Sequence, residues 1–189
     1  MPTAPTTTGY ALLGLLALRP WTTYELAQQV RRSLNWFWPR AERKLYDEPK
    51  RLVAAGWATA REEFTGRRKR TVYEITDAGR AALAAWLAEP SAPPSQESEA
   101  MVRVFFADAG DRDSLRATLA GVQDGARVRL AELQAMSDGE EAFPERRHIS
   151  GLCMRLQQQQ EQTTIDWAAW AIGEVDRWRA TDDPGLSRT

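Results

Sequence analysis

Apolar positions in the first ninety residues fall in short helical runs separated by polar breaks. Residues 1–8 are polar and read as a loose arm. Positions 9–18, GYALLGLLAL, are apolar on nearly every side, which predicts a short buried helix. Arg19-Pro20-Trp21 ends it. Thr22-Thr23-Tyr24-Glu25 fits a capping box, in which a threonine hydroxyl caps backbone N–H groups and a glutamate three residues on reaches back. Leu26, Val30 and Leu34 follow at helical spacing, so a second helix is expected to about residue 33. An aromatic connector, Asn35-Trp36-Phe37-Trp38-Pro39, comes next. A third helix is expected over 42–55, with Leu45 and Leu52 on one face and Gly56 suited to the left-handed position past its end. Pro49 lies inside it. Proline lacks an N–H and crowds the carbonyl of Leu45, which predicts a kink or a shortened first segment.

Positions 57–64 and 71–75 read as two strands. The turn Thr65-Gly66-Arg67 and the run Arg67-Arg68-Lys69-Arg70 lie between them, so the pair is expected to be a hairpin with a charged tip. Thr76 or Asp77 can cap an alanine-rich fourth helix over 78–87. Residues 88–96 hold Pro90, Pro93, Pro94 and two serines, a linker composition. Beyond them the pattern is helical only, over 97–107, 111–136 and 144–179. In the last stretch Ile165, Ala168, Ala169, Ile172 and Val175 form an apolar stripe, with Trp167, Trp170 and Trp178 around it. The glutamine run 157–160 is short and suits a helix. There is no internal repeat. The expected organisation is a first domain over 1–90, a linker over 91–96, an α-helical domain over 97–181, and a flexible tail over 182–189.

Helix, helix, helix, strand, strand, helix is the order of a winged helix. The fold class is therefore mainly α: a winged helix-turn-helix with a two-stranded wing, then an α-helical domain. The second helix of such a pair enters the major groove, where base edges are distinguishable. Here that is the third helix, with Arg43, Lys44, Tyr46, Asp47, Lys50 and Arg51 as outward candidates. Thr22, Thr23 and Tyr24 suit a phosphate at the amino end of the preceding helix. Arg67, Arg68, Lys69 and Arg70 would lie along the minor groove, where the negative potential is strong. A charge run is usually only a solvated face; its place after a helix-turn-helix favours the wing.

Charge changes the picture only through its distribution. The 189 residues carry a net charge of −1. Up to Pro90 there are fourteen Lys and Arg against nine Asp and Glu, a net of +5; from Ser91 on there are eleven against seventeen, a net of −6. A basic front half and an acidic back half suggest that the front alone meets a polyanion. At 43% hydrophobic residues the chain can bury a core.

Catalytic signals are poor. His148 is the single histidine and Cys153 the single cysteine, so no zinc cluster can form, no disulfide can close within the chain, and a reducing compartment is implied. His148 and Cys153 are five residues apart, which does not align them on a helix. Gly9 and Gly14 flank a buried helix rather than follow a strand, so no phosphate loop is present. No carboxylate spacing singles out an acid–base pair. The expectation is a non-enzyme without cofactor or metal. The amino-terminal apolar run is too short for a membrane span and lacks a basic flank, which points to the cytoplasm. Eight tryptophans admit two readings: core and dimer packing, which is favoured, or an aromatic ligand pocket between subunits built from some of Trp36, Trp38, Trp167 and Trp170.

The strings YALLGLLALRPWTTYELAQQV, FWPRAERKLYDEPKRLVAAGW and TGRRKRTVYEITDAGRAALAAWL resemble the amino-terminal domain of PadR-like regulators. ESEAMVRVFFAD resembles the start of the helical carboxy-terminal domain of the larger PadR subfamily, likened to virulence-activator domains. The resemblance covers most of residues 9–110 with specific strings and continues as pattern to about 180. It implies a winged-helix transcription factor, usually a repressor, that binds double-stranded DNA at a palindromic operator as a homodimer. It also implies dimerisation through the carboxy-terminal helices and, in some members, release by a small aromatic effector. By that resemblance the recognition positions fall on Arg43, Lys44, Tyr46 and Lys50, the phosphate-contacting helix start on Thr23 and Tyr24, and the wing on Gly66 to Arg70. Pro49 departs from the commoner family pattern. The rival reading from another class is a winged helix that serves as a protein-interaction module without DNA contact.

Overall fold

The structure, a computed structural model, describes residues 6–39, 45–66, 68–95, 97–139, 142–183 and 185. The chain divides into two units, Met1–Pro93 and Pro94–Thr189.

In the first unit α1 spans Thr7–Leu16. Thr6 is its N-cap: the hydroxyl accepts the Gly9 N–H at 3.2 Å. The polar stretch expected as a loose arm thus supplies the cap and first turn, because threonine satisfies a free N–H that an apolar residue would leave open. Leu12, Leu13, Leu15 and Leu16 are buried, as the all-round apolar pattern requires. Trp21 is buried too, and its indole N–H donates to the Leu15 carbonyl at 2.7 Å. Tyr10 stacks on Trp86 at 4.8 Å and meets Trp57 at 5.8 Å.

A two-residue strand, β1 (Trp21–Thr22), leads into α2 (Thr23–Arg32). The capping box forms as expected, with Thr22 accepting from the Glu25 N–H and Glu25 accepting from the Thr22 N–H. A 3-10 turn, Leu34–Trp36, follows.

Over the described part of 42–55 the expected helix starts late. Among the described residues α3 is Glu48–Ala54, preceded by a turn over 45–47; residues 42–44 lie outside the described residues. Pro49 is the reason. It occupies the first turn of α3, where its missing N–H would have had no intrahelical partner. Leu45 and Leu52 are both buried, and Gly56 takes φ +74° after the helix end.

Strands β2 (Ala58–Thr65) and β3 (Arg68–Ile75) pair antiparallel, and β1 adds to the other edge of β3, giving the order β1-β3-β2. The ladder runs out to the pairing of Thr65 with Arg68. Gly66 at φ +62° meets the left-handed requirement of so tight a hairpin. The expected charged tip is therefore corrected: Arg68, Lys69 and Arg70 belong to β3 rather than to the turn. Helix α4 (Asp77–Leu87) closes the unit, capped by Thr76.

The second unit is helical. Its elements are α5 (Glu99–Phe105), a 3-10 turn Ala107–Ala109, α6 (Arg112–Asp138), a 3-10 turn Pro144–Arg146 and α7 (Arg147–Val175). Helices α6 and α7 run antiparallel. Arg116 pairs with Asp176 at 2.9 Å, Gln123 donates to the Ile165 carbonyl at 3.3 Å, and Arg129 makes a two-pronged pair with Glu161 at 2.8 and 2.9 Å. Leu115, Leu119 and Val175 form a buried cluster, with Val104, Trp167, Ile172 and Trp178 packed on it. Ala168 is buried, whereas Ala169 is exposed and drops out of the expected stripe. Among the described residues no helix is long and apolar enough to cross a membrane.

Candidate nucleic-acid interface

Three pieces of the first unit carry the expected contacts: the start of α2, the approach to α3, and the β2–β3 wing. At the start of α2, Thr22 is buried and its hydroxyl is held by Glu25 at 2.7 Å, so it shapes the turn rather than facing outward. Burial pushes the Glu25 carboxyl up, but hydrogen bonds from the Thr22 N–H and hydroxyl and from Arg19 outweigh it and leave the group below its ordinary range. Thr23 is half-buried. Tyr24 is 72% exposed, and its hydroxyl accepts from the Gln28 side chain at 2.9 Å. That bond fixes the oxygen and leaves its proton free to donate.

Tyr46 lies in the turn before α3 and is 71% exposed; Lys50 and Arg51 on α3 are exposed as well. Arg43 and Lys44 lie outside the described residues. Beneath this surface Glu48 is 2% exposed. It accepts a hydrogen bond from the Thr6 hydroxyl and lies 3.4 Å from the Arg51 guanidinium.

On the wing, Arg67 lies outside the described residues, and Arg68 pairs with Thr65 across the turn. Lys69 pairs with Glu62 at 2.7 Å. Arg70 pairs with Glu63 at 2.7 Å, and Arg61 pairs with the same carboxylate. Arg61 was not among the expected contacts. Its signal is parity: in an antiparallel ladder Arg61 and Glu63 share a face, and the register sets Glu63 opposite Arg70. Without the register that grouping is invisible.

The four candidate pocket tryptophans divide between the units. Trp36 and Trp38 belong to the first, where the Trp38 indole N–H donates to the Thr8 hydroxyl at 3.0 Å. Trp167 and Trp170 belong to the second, Trp167 on the Leu115 cluster and Trp170 exposed. His148 and Cys153 are both exposed. Among the described residues no three His, Cys, Asp or Glu side chains group as metal ligands.

Comparison with known proteins agrees with this layout. Residues 12–85 match the transcriptional regulator PadR-like family, and residues 98–176 match the virulence activator alpha C-terminal family. The probable transcriptional regulator Rv1176c of Mycobacterium tuberculosis is 35% identical over 85 residues, which span 44% of this chain and 45% of that protein. The negative transcriptional regulator PadR of Bacillus subtilis is 25% identical over 89% of this chain and 97% of its own. Crystal structures of B. subtilis PadR share the fold. The one in complex with operator DNA gives a TM-score of 0.81 at 22% identity, covering 90% of this chain and all of that one. The one in complex with p-coumaric acid gives 0.74 at 22% identity, covering 90% and 99%. The chain thus joins a domain of the PadR-like family of transcriptional regulators, over residues 12–85, to a virulence activator alpha C-terminal domain over residues 98–176.

Proposed function

We propose that the protein is a sequence-specific repressor that binds a palindromic operator as a homodimer. The observation that carries the reading is the set of exposed side chains on a basic winged helix: Tyr24 with its hydroxyl held in place, Tyr46, Lys50, and the wing cations Lys69 and Arg70. Tyr24 and Lys50 suit phosphates and base edges, and the wing suits the backbone beside the minor groove. The acidic second unit is left for assembly. Phe105 on α5 and Ile149, Leu152 and Leu156 on α7 are exposed apolar side chains, the last three on one helix face, which favours a second copy as their cover. Two-fold symmetry then sets two recognition helices one DNA turn, about 34 Å, apart. Such a regulator acts in the cytoplasm.

The test is a footprint on the region upstream of its own gene, paired with a salt series on a variant in which Arg67, Arg68, Lys69 and Arg70 are replaced by alanine. A protected palindrome, with weaker binding and a flatter salt slope for the variant, is the expected outcome. An unprotected region and an unchanged slope would turn the reading toward a protein-interaction module.

The p-coumaric acid complex of the Bacillus protein favours a small aromatic acid as releasing ligand. A ligand need only bind the DNA-incompetent state more tightly than the competent one. Titrating p-coumaric acid into the protein–operator complex tests this, and retained binding at saturating acid would exclude that compound.

A further inference from the structure

The wing carries its own competitor for DNA phosphate. Over residues 61–70 there are five cations and two carboxylates, Glu62 and Glu63. The register places both carboxylates among the cations. Glu63 stands opposite Arg70 and shares a face with Arg61. Its carboxylate takes two donors from Arg70, at 3.1 and 2.7 Å, and a third from Arg61. Glu62, on the opposite face, holds Lys69 at 2.7 Å. All three cations stay open to solvent, with side chains 57%, 56% and 50% exposed for Arg61, Lys69 and Arg70. A phosphate can therefore reach each of them, but only in competition with a carboxylate already in place.

We propose that Glu62 and Glu63 are a built-in brake on wing–DNA binding: they occupy Arg61, Lys69 and Arg70 as phosphate surrogates and lower the affinity of the wing for the DNA backbone. This rests on the DNA-binding reading above. The physics is an exchange of ion pairs. When a phosphate displaces Glu62 or Glu63, DNA loses a counterion, but the freed carboxylate gathers a cation and repels the phosphate. The net release of ions is smaller than the cation count implies, and so is the salt dependence. Backbone affinity is what holds a regulator on unrelated DNA, so the brake leaves more of it free to find its operator.

The test uses the full chain, with Glu62→Gln, Glu63→Gln and the double variant, against a random-sequence duplex over a salt series. Glutamine keeps side-chain shape on an exposed ribbon, and far-UV circular dichroism confirms the fold. The double variant should bind about three- to thirtyfold more tightly at low salt, the size expected for removing two exposed ion-pair competitors. Its log–log salt slope should steepen by about 1–2. Each single variant should fall between, since the carboxylates lie on opposite faces. Equal or weaker binding by the double variant overturns the brake and makes the carboxylates mere positioning groups for the cations. Failure of the wild-type protein to bind any duplex overturns the DNA-binding reading itself, so the two failures are told apart by the parent protein.

Discussion

Gly79 in α4 lies against the backbone of Trp57: a Cβ at position 79 would stand 2.1 Å from the Trp57 carbonyl oxygen and 2.9 Å from Ile75. The same carbonyl accepts the Thr76 N–H at 3.0 Å, while the Thr76 hydroxyl caps α4 and also donates to Gly56. One carbonyl thus joins the end of α3 to the start of α4, with no room for a methyl group. Gly79→Ala should cost at least the about 1–3 kcal/mol typical of overpacking, because the obstructing atom is backbone and cannot rotate away. Thermal denaturation should report a fall in Tm of several degrees. An unchanged Tm would mean that this contact relaxes freely.

Thr6 and Glu48 tie the cap of α1 to the first turn of α3. Thr6 accepts from Gly9 and donates to a carboxylate that is out of solvent. Thr6→Ala removes a cap and a donor, with an expected loss of about 0.5–2 kcal/mol. Thr6→Ser keeps both and should stay close to wild type in urea denaturation.

Tyr24→Phe keeps an exposed ring and deletes only the hydroxyl. Stability should hold, while operator affinity drops about tenfold, as expected for one hydrogen bond to a charged acceptor. Fluorescence anisotropy with a labelled operator measures it. Undiminished affinity would remove Tyr24 from the interface.

Glu25 gives the first unit a pH dependence of known sign. Its folded carboxyl sits below the ordinary value. The stabilisation is therefore fully present above the unfolded-state value and is lost as pH falls through the folded one. Urea midpoints for wild type and Glu25→Gln should differ at neutral pH and converge under acid conditions. A constant gap across that range would contradict the capping-box assignment of the shift.

Leu152 and Leu156 on α7 are exposed apolar side chains one helical turn apart. With a second copy as their cover, Leu152→Asp combined with Leu156→Asp should convert a dimer to a monomer in sedimentation velocity and reduce operator binding with it. A dimeric variant would place the interface elsewhere.

Much of this protein was legible from local chemistry. The capping box at Thr22 and Glu25, the all-round apolar α1, a cap at Thr76 or Asp77 and the left-handed glycine 56 depend on residues a few positions apart, and local rules apply where the partners are local. The order of elements and the strings along the chain pointed to the family. Pro49 announced a disturbance in the third helix, and the structure places it in the first turn of α3.

Pairings between distant positions came only with the folded chain. The edge strand at Trp21 and Thr22 exists because β3 accepts it some fifty residues downstream, and two residues carry no strand signal of their own. The burial of Glu48 depends on Thr6, and the place of Gly79 on Trp57. On the wing, residue order alone set a cluster of cations, Arg67 to Arg70, and its position after a helix-turn-helix. The register decided that Lys69 and Arg70 of that cluster, together with Arg61 outside it, already hold carboxylates, because the side chains that meet across a ladder are set by which residues pair and not by which are neighbours in the chain.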